Sequence, residues 1–214
     1  MIKVVIFDLD GTLLNTIDDL ANSVNFMLRQ FDFPTFSVDE YKYKVGNGMR
    51  KLIERSLPAT HNNDEQIEKS LKVFMDYYNQ HKNDNTAPYK DIIDLLNELK
   101  HKGKKLAVVT NKAHVSAKPL IKNTFPDVFD EITGQKDNVP TKPNPQSVFN
   151  TLEKLNVTPD ECLFVGDSGV DMQTAKNAGI KAIGVLWGFR EESELLQNGA
   201  DEIISSPLEL LKFI

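Results

Sequence analysis

The sequence predicts an α/β protein in which a doubly wound parallel sheet carries an inserted helical bundle. Short apolar runs such as 4–7 are rich in β-branched residues, as strands buried on both faces of a parallel sheet are. From Pro88 onwards these runs alternate with helical patterns, which favours parallel strands joined by right-handed crossovers. Between them, residues 16–82 show four helical patterns and no convincing strand. We therefore predict a core domain from residues 1–15 and 83–214 and a helical domain from 16–82.

The helical insert is predicted from apolar spacing and from capping residues. Its first helix has apolar residues at helical spacing, namely Leu20, Val24, Met27, Leu28 and Phe31. Ser37 and Glu40 form a capping-box pattern that opens a second helix. The segments 51–57 and 64–82 predict a third and a fourth helix. Two glycines in the sequence around 45–50 predict a loop between the second and third helices.

The remaining chain reads as strands separated by helices. The predicted strands cover 105–110, 129–133, 161–165, 181–186 and, at an edge, 201–205. The predicted helices include 92–103, 114–123, one that Asn144 and Pro145 begin, one that Gly179 ends and a last turn at 208–213.

Composition places limits on the function. The chain has 214 residues, of which 40% are hydrophobic and 26% charged, and its net charge is -6. An acidic chain of this kind argues against nucleic acid as the main partner. No apolar stretch is long enough to span a bilayer, and the N-terminus shows no signal-peptide pattern, so we expect a cytoplasmic protein without a membrane partner. Cys162 is the only cysteine and lies in an apolar run, which indicates a core thiol.

Polar residues follow three of the predicted strands. They are Asp8 and Asp10 after the first strand, Thr110 and Asn111 after the second, and Asp167 and Ser168 after the strand at 161–165. Ligands of such folds bind beyond the carboxyl ends of the strands. Three polar strand ends therefore predict a single site.

Asp8 and Asp10 favour a cation at this site. Side chains two positions apart in a strand point to the same side, although the turn at Gly11 will bend that geometry. Two neighbouring carboxylates repel each other unless a cation joins them, and Mg²⁺ prefers oxygen ligands. An isolated Asp-x-Asp is more often an Asp-rich turn, so the assignment depends on the whole string from Phe7 to Leu13.

That string, Phe-Asp-Leu-Asp-Gly-Thr-Leu, resembles the first motif of the haloacid dehalogenase superfamily in its phosphatase branch. Thr110 and Asn111 resemble the second motif. Lys142, in the string Thr-Lys-Pro-Asn-Pro, resembles the third motif. The fourth motif is similar to Gly-Asp-Ser-Gly-Val-Asp at 166–171. The helical insert resembles the C1 cap of this superfamily. The resemblance thus covers the whole chain, with the motifs in the expected order.

The resemblance implies phosphoryl transfer through an aspartyl-phosphate. Asp8 would be the nucleophile and Asp10 the general acid and base. Thr110 and the amide of Asn111 would hold phosphoryl oxygens, while Lys142 would neutralise the transferring group.

The resemblance also implies a Mg²⁺ cofactor. The carboxylates of Asp8 and Asp167 and the main-chain carbonyl of Asp10 would be its ligands. Asp171 would orient Lys142 or metal-bound water from outside the set of ligands, and Ser168 would lie beside it there. The alternative for Asp171 is an acid that only stabilises the first turn of a helix.

Substrate selectivity is expected from the helical insert. Its loop at 45–50 resembles the cap loop of phosphoglycolate phosphatases, as does Trp-Gly-Phe-Arg at 187–190. We expect Gly46, Asn47, Gly48 and Arg50 to contact a small phosphorylated metabolite, with Arg50 or Lys51 pairing with a carboxylate. The alternative is that both basic residues are only solvated.

Other functions stay open at this point. Within the superfamily they are a sugar-phosphate phosphatase, a pyrophosphatase and a β-phosphoglucomutase. The mutases carry a cap histidine soon after the first motif, whereas the first histidine here is His61. Outside it, a phospho-acceptor signalling protein also combines acids, a threonine and a lysine on a parallel sheet. The oligomeric state is expected to be a monomer or a homodimer.

Overall fold

The computed structural model describes all 214 residues. The strands are β1 (Val4–Phe7), β2 (Leu14–Asn15), β3 (Ala87–Pro88), β4 (Lys105–Ala113), β5 (Glu131–Gln135), β6 (Cys162–Gly166), β7 (Lys181–Val185) and β8 (Glu202–Ile204). The α-helices are α1 (Ile17–Gln30), α2 (Val38–Lys42), α3 (Met49–Ser56), α4 (Asp64–His81), α5 (Ile92–His101), α6 (His114–Thr124), α7 (Gln146–Leu155), α8 (Gly169–Ala178) and α9 (Glu192–Gln197). Short 3-10 helices cover Ala59–His61, Pro159–Glu161 and Pro207–Phe213.

The chain forms two compact units. One comprises Met1–Leu14 and Pro88–Ile214, and the other comprises Asn15–Ala87. The two short strands β2 and β3, which pair with each other, lie where the chain passes from one unit to the other.

A six-stranded sheet forms the centre of the first unit. Its strand order is β5-β4-β1-β6-β7-β8, and all of its neighbouring strands are parallel. β1 lies between β4 and β6, with Val4 in register with Lys105 and Cys162. The predicted parallel α/β sheet is confirmed, and the carboxyl ends of these three strands lie side by side.

Alternate residues of β1 contribute to the two faces of this sheet. Val5 and Phe7 belong to a cluster that includes buried residues of α5 and α6. Val4 and Ile6 belong to a second cluster, with buried residues of α7 and α8. Because both faces are buried, the strand reads as a continuous apolar run rather than an alternating one.

Some element boundaries differ from those expected. β5 begins at Glu131, two residues later than predicted, since the ring of Phe129 packs edge-on against Phe7 and Phe125. α7 begins at Gln146, whose amide nitrogen donates to Oδ1 of Asn144. Asn144 therefore lies one residue before the N-cap position, which Pro145 occupies, whereas the sequence predicted Asn144 at the N-cap itself.

The second unit consists of helices, as the spacing of its apolar residues predicts. α1 packs on α2 and α4, and α3 packs on α4. Large side chains fill its interior, among them Tyr41, Phe74 and Tyr78. The capping box opens α2, with Ser37 donating from its backbone nitrogen to Glu40. Neither unit contains a helix that is both long and apolar enough to cross a membrane.

Asp19 joins the beginning and the end of the helical unit. Its carboxylate is buried in α1 and accepts hydrogen bonds from the backbone and side chains of Asn85 and Thr86, at 2.8–3.1 Å. Backbone donors paired with a buried carboxylate are costly to leave unpaired. Asp19 therefore holds the last residues of the unit against its first helix.

The variant Asp19→Ala is expected to lower the free energy of unfolding by about 1–3 kcal/mol, since it leaves the partly buried donors of Asn85 and Thr86 without their acceptor. Urea titration followed by circular dichroism measures this change. Asp18→Ala is the matched control because Asp18 lies in the same helical turn. Equal losses in the two variants would contradict the assigned role of Asp19.

Candidate active site

Polar side chains from four parts of the first unit meet beyond the carboxyl ends of β1, β4 and β6. Asp8 follows β1, and Asp167 follows β6. Asp171 lies in the first turn of α8, and Lys142 lies in the segment between β5 and α7. All four residues are at most 8% exposed. A set of charged groups this deeply buried must be paired or hold an ion.

Three carboxylates lie close together in this site. Oxygen atoms of Asp8, Asp167 and Asp171 are all within 4.8 Å of one another. Burial, together with the charge of Asp171, raises the pKa of Asp8 to about 6 and the pKa of Asp167 to about 8. The site therefore disfavours its own negative charges, which a cation would relieve.

Lys142 supplies the resident positive charge. Its Nζ atom donates to Oδ1 of Asp8 at 2.8 Å and to Oδ1 of Asp171 at 2.6 Å. Burial alone would lower the pKa of Lys142, but the carboxylates of Asp171 and Asp8 outweigh it and raise that pKa. Lys142 therefore stays charged and fixes the two acids relative to each other.

Asn111 holds Lys142 in place through the backbone. Its Oδ1 accepts from the amide nitrogen of Lys142 at 2.8 Å, and its Nδ2 donates to the carbonyl of Lys142 at 3.2 Å. Sequence reasoning considered only the main-chain amide of Asn111. The side chain has the additional task of orienting the segment that carries the lysine.

Asp171 is oriented by the residue that precedes α8. Its Oδ2 accepts from the backbone nitrogen of Ser168 at 3.1 Å and from the hydroxyl of Ser168 at 2.6 Å. A Cβ atom at Gly166 would overlap the side chain of Asp171, so the close approach between the end of β6 and Asp171 requires glycine at position 166. Both oxygens of Asp171 are thus engaged, one by Ser168 and one by Lys142.

Asp167 is held by the loops after β1 and β7. The hydroxyl of Thr12 donates to Oδ1 at 3.1 Å, and the backbone nitrogen of Phe189 donates to Oδ2 at 2.9 Å. Trp187 in turn donates from Nε1 to the carbonyl of Thr12 at 2.9 Å. A Cβ atom at Gly188 would overlap Asp167, which explains the glycine between the two aromatic residues.

The donor set fits a hard divalent cation such as Mg²⁺. Asp8 and Asp167 offer carboxylate oxygens, the ligand type that Mg²⁺ prefers, and a bound cation would stabilise their ionised forms. A Cβ atom at Gly11 would overlap the carboxylate of Asp167, so glycine keeps this space open. Asp10 is not among the three clustered carboxylates.

Asp10 forms an ion pair that sequence reasoning missed. Nζ of Lys112 lies 3.0 Å from Oδ1 and 3.3 Å from Oδ2 of Asp10. The Lys112 side chain is 0% exposed, whereas that of Asp10 is 21% exposed. One signal was available, because Lys112 follows Thr110 by two positions at the end of a buried strand.

The predicted substrate-binding loop lies between α2 and α3 in the helical unit. Gly46 and Gly48 have positive φ angles of 109° and 85°, a conformation that favours glycine. Oδ1 of Asn47 accepts from Nη2 of Arg55 at 2.8 Å. The loop therefore has a defined shape within its own unit, and its contact with a substrate stays a prediction.

Arg50 lies among carboxylates of the helical unit. Its guanidinium contacts Glu54 at 3.2 Å and Asp64 at 2.6 Å, and it also pairs with Glu68. Lys51 pairs with Glu54. A substrate carboxylate would have to compete with these residues for Arg50.

Comparisons with known proteins agree with this geometry. The model of the haloacid dehalogenase-like hydrolase family matches residues 5–185. Phosphoglycolate phosphatase of Colwellia psychrerythraea is 32% identical over 215 residues, which cover 98% of this chain and 95% of that protein. Phosphoglycolate phosphatase of Aquifex aeolicus is 33% identical over 213 residues, covering 99% and 96% of the two chains.

A solved structure has the same fold over its full length. The protein from Lactobacillus delbrueckii subsp. bulgaricus is 32% identical, covers 99% of this chain and 98% of its own, and superposes with a TM-score of 0.94.

The acid cluster predicts how stability depends on pH. The unfolded chain releases the protons of Asp8 and Asp167 near pH 4, whereas the folded protein holds them until about pH 6 and pH 8. The folded state thus binds more protons in this window, so the stability of the metal-free protein should fall as pH rises from about 4 to about 8. Calorimetry in EDTA measures the melting temperature at each pH.

Asp167→Asn should weaken this pH dependence and should abolish any rise in melting temperature that Mg²⁺ causes at pH 8. Asp39→Asn is the matched control because the Asp39 side chain is 85% exposed. An Asp167→Asn protein that keeps the wild-type responses to pH and Mg²⁺ would contradict the assignment.

Proposed function

The chain belongs to the haloacid dehalogenase-like hydrolases, and from this premise we propose that it is a Mg²⁺-dependent phosphatase that hydrolyses small phosphate monoesters, 2-phosphoglycolate foremost. The observation that carries the proposal is the contact of 2.8 Å between Lys142 and Asp8 in a cluster of buried acids. The relatives named phosphoglycolate phosphatase, each covered over nearly its full length, support the choice of substrate.

Asp8 is the proposed nucleophile. A pKa of about 6 leaves it mainly ionised at neutral pH, as a nucleophilic carboxylate must be. Lys142 holds one of its oxygens, which fixes the direction of the carboxylate. Asp8 would attack phosphorus, and the ester oxygen would leave as the phosphoryl-aspartate forms.

Asp10 is the proposed proton donor and acceptor. It follows Asp8 by two residues, and its side chain stays partly exposed, which suits a group that must meet a leaving group and a water molecule. It would protonate the departing oxygen and then take a proton from the water that attacks the phosphoryl-aspartate. This second step restores the carboxylate of Asp8.

The proposed metal ligands are the carboxylates of Asp8 and Asp167 and the main-chain carbonyl of Asp10. When bound, Mg²⁺ supplies positive charge that reduces the repulsion between a carboxylate nucleophile and a phosphate dianion. Asp171 acts from outside this set, since Ser168 and Lys142 already engage its two oxygens.

The phosphoryl group is proposed to lie against the end of β4. The hydroxyl of Thr110 and the main-chain amide of Asn111 would donate to its oxygens, and Lys142 would neutralise part of its charge. These residues are 4–7% exposed, so the groups around the phosphoryl group are largely shielded from water.

The test is a screen of phosphorylated metabolites with Mg²⁺. The wild type should release phosphate from 2-phosphoglycolate with a higher kcat/KM than from sugar phosphates or pyrophosphate, and EDTA should abolish the activity. Asp8→Asn should abolish turnover with circular dichroism unchanged, because it removes only the charge of the nucleophile. Asp10→Asn should lower kcat by roughly 10²–10⁴-fold.

Substantial turnover by Asp8→Asn would overturn the covalent mechanism. Preference for a sugar phosphate or pyrophosphate would reassign the substrate within the family. Stable phosphorylation of Asp8 without steady phosphate release would indicate a phospho-acceptor instead.

Arg50 provides a separate test of the cap loop. If Arg50 pairs with the substrate carboxylate, Arg50→Ala should lower kcat/KM for 2-phosphoglycolate roughly tenfold. This loss is at the low end for a hydrogen bond between charged groups, because carboxylates of the protein already share the charge of Arg50. Turnover of p-nitrophenyl phosphate, which lacks the carboxylate, should hardly change. Lys69→Ala, which removes only an exposed pair with Glu65, is the matched control, and equal losses on both substrates would assign Arg50 a structural role.

A further inference from the structure

Lys112 is a buried cation that the proposed mechanism does not use. Its ammonium group lies 3.0 and 3.3 Å from the two oxygens of Asp10. We propose that Lys112 is a positioning residue that holds the Asp10 carboxyl group in place for proton transfer to the leaving oxygen. This inference rests on the proposed phosphatase function.

The exposure of the two side chains separates their roles. Lys112 is 0% exposed and therefore has no surface with which to touch a substrate. Asp10 is 21% exposed and is the member of the pair that a substrate can reach. Lys112 thus acts through Asp10 and not on the substrate itself.

Stability alone gives no reason for this pair. Removing an ammonium group from water is costly, and its attraction to a partly exposed carboxylate repays little of that cost. Proton transfer, in contrast, needs a donor whose position departs from the productive geometry by no more than a fraction of an ångström. Asp10 lies beside Gly11, whose φ of 91° marks a turn, so contacts from outside that turn are needed to fix its carboxylate.

The local distortion of β4 aims Lys112 at Asp10. The pairing of β4 with β5 shifts register between Val109 and Ala113, and the amide nitrogen of Lys112 donates to the hydroxyl of Thr110 at 3.2 Å. A Cβ atom at Gly134 of β5 would overlap the carbonyl of Lys112, so glycine permits this bulge. The same irregularity therefore places Thr110 and Lys112 in the site.

The proton balance assigns no transfer to Lys112. As Asp8 bonds to phosphorus, the ester oxygen leaves with its electron pair and takes the proton of Asp10. In hydrolysis, the Asp10 carboxylate takes a proton from the attacking water, and the bond from phosphorus to Asp8 breaks. Lys112 keeps its three protons throughout.

Esters that differ in their leaving group test the role. Protonation matters for phenyl phosphate, whose phenolate is a poor leaving group, and matters little for 2,4-dinitrophenyl phosphate. Lys112→Met should lower kcat/KM roughly 10- to 100-fold for the first ester and less than about threefold for the second. Loss of equal size on both esters would overturn the proposal, because a merely structural change does not distinguish leaving groups.

A double variant keeps the test valid if Lys112→Met folds poorly. Asp10→Asn with Lys112→Met leaves no unpaired charge and should lose no more activity on phenyl phosphate than Asp10→Asn alone. Multiplied losses would show that Lys112 acts independently of Asp10 and would overturn the proposal.

Lys105→Met, at the start of the same strand, is the matched control. Its Nζ donates to the carbonyl of Leu155 at 3.0 Å, away from the site, so both esters should react as with the wild type. A wild-type protein that hydrolyses neither 2-phosphoglycolate nor the two aryl esters would overturn the proposed function and this inference with it. An active wild type with equal losses in Lys112→Met would overturn the role of Lys112 alone.

Discussion

The structure of this site depends on the burial of three carboxylates around one ammonium group. Asp8, Asp167 and Asp171 repel one another, and Lys142 neutralises only part of their charge. A bare cluster of this kind opposes folding, which is why the surrounding backbone donors and the proposed cation matter. The site is therefore ready to accept positive charge, as the proposed hydrolysis of a phosphate ester requires.

The supporting contacts make the cluster rigid. Ser168 fixes Asp171 from the start of α8, while Thr12 and Phe189 fix Asp167 from two separate loops. Glycines occur where a side chain would overlap these acids. Such second contacts hold the charged groups in the geometry that the chemistry needs.

Two buried lysines each pair with one of the two acids of the first motif. Lys142 contacts Asp8, the proposed nucleophile, and Lys112 contacts Asp10, the proposed proton donor. Each of the two acids thus has its own buried cation. The pairing gives neighbouring carboxylates different surroundings, which is how two identical groups come to have different roles.

The sequence by itself determined the parallel α/β sheet, the helical insert and most of the strand-end residues, because periodicity and capping are local signals. Tertiary structure decided how the side chains pair. Lys112 meets Asp10 across 102 positions, and Asn111 meets the backbone of Lys142 across 31. The first contact depends on a register shift in β4 and the second on the path of the segment before α7. Neither leaves a periodic pattern in the sequence, because both arise from the way distant segments pack.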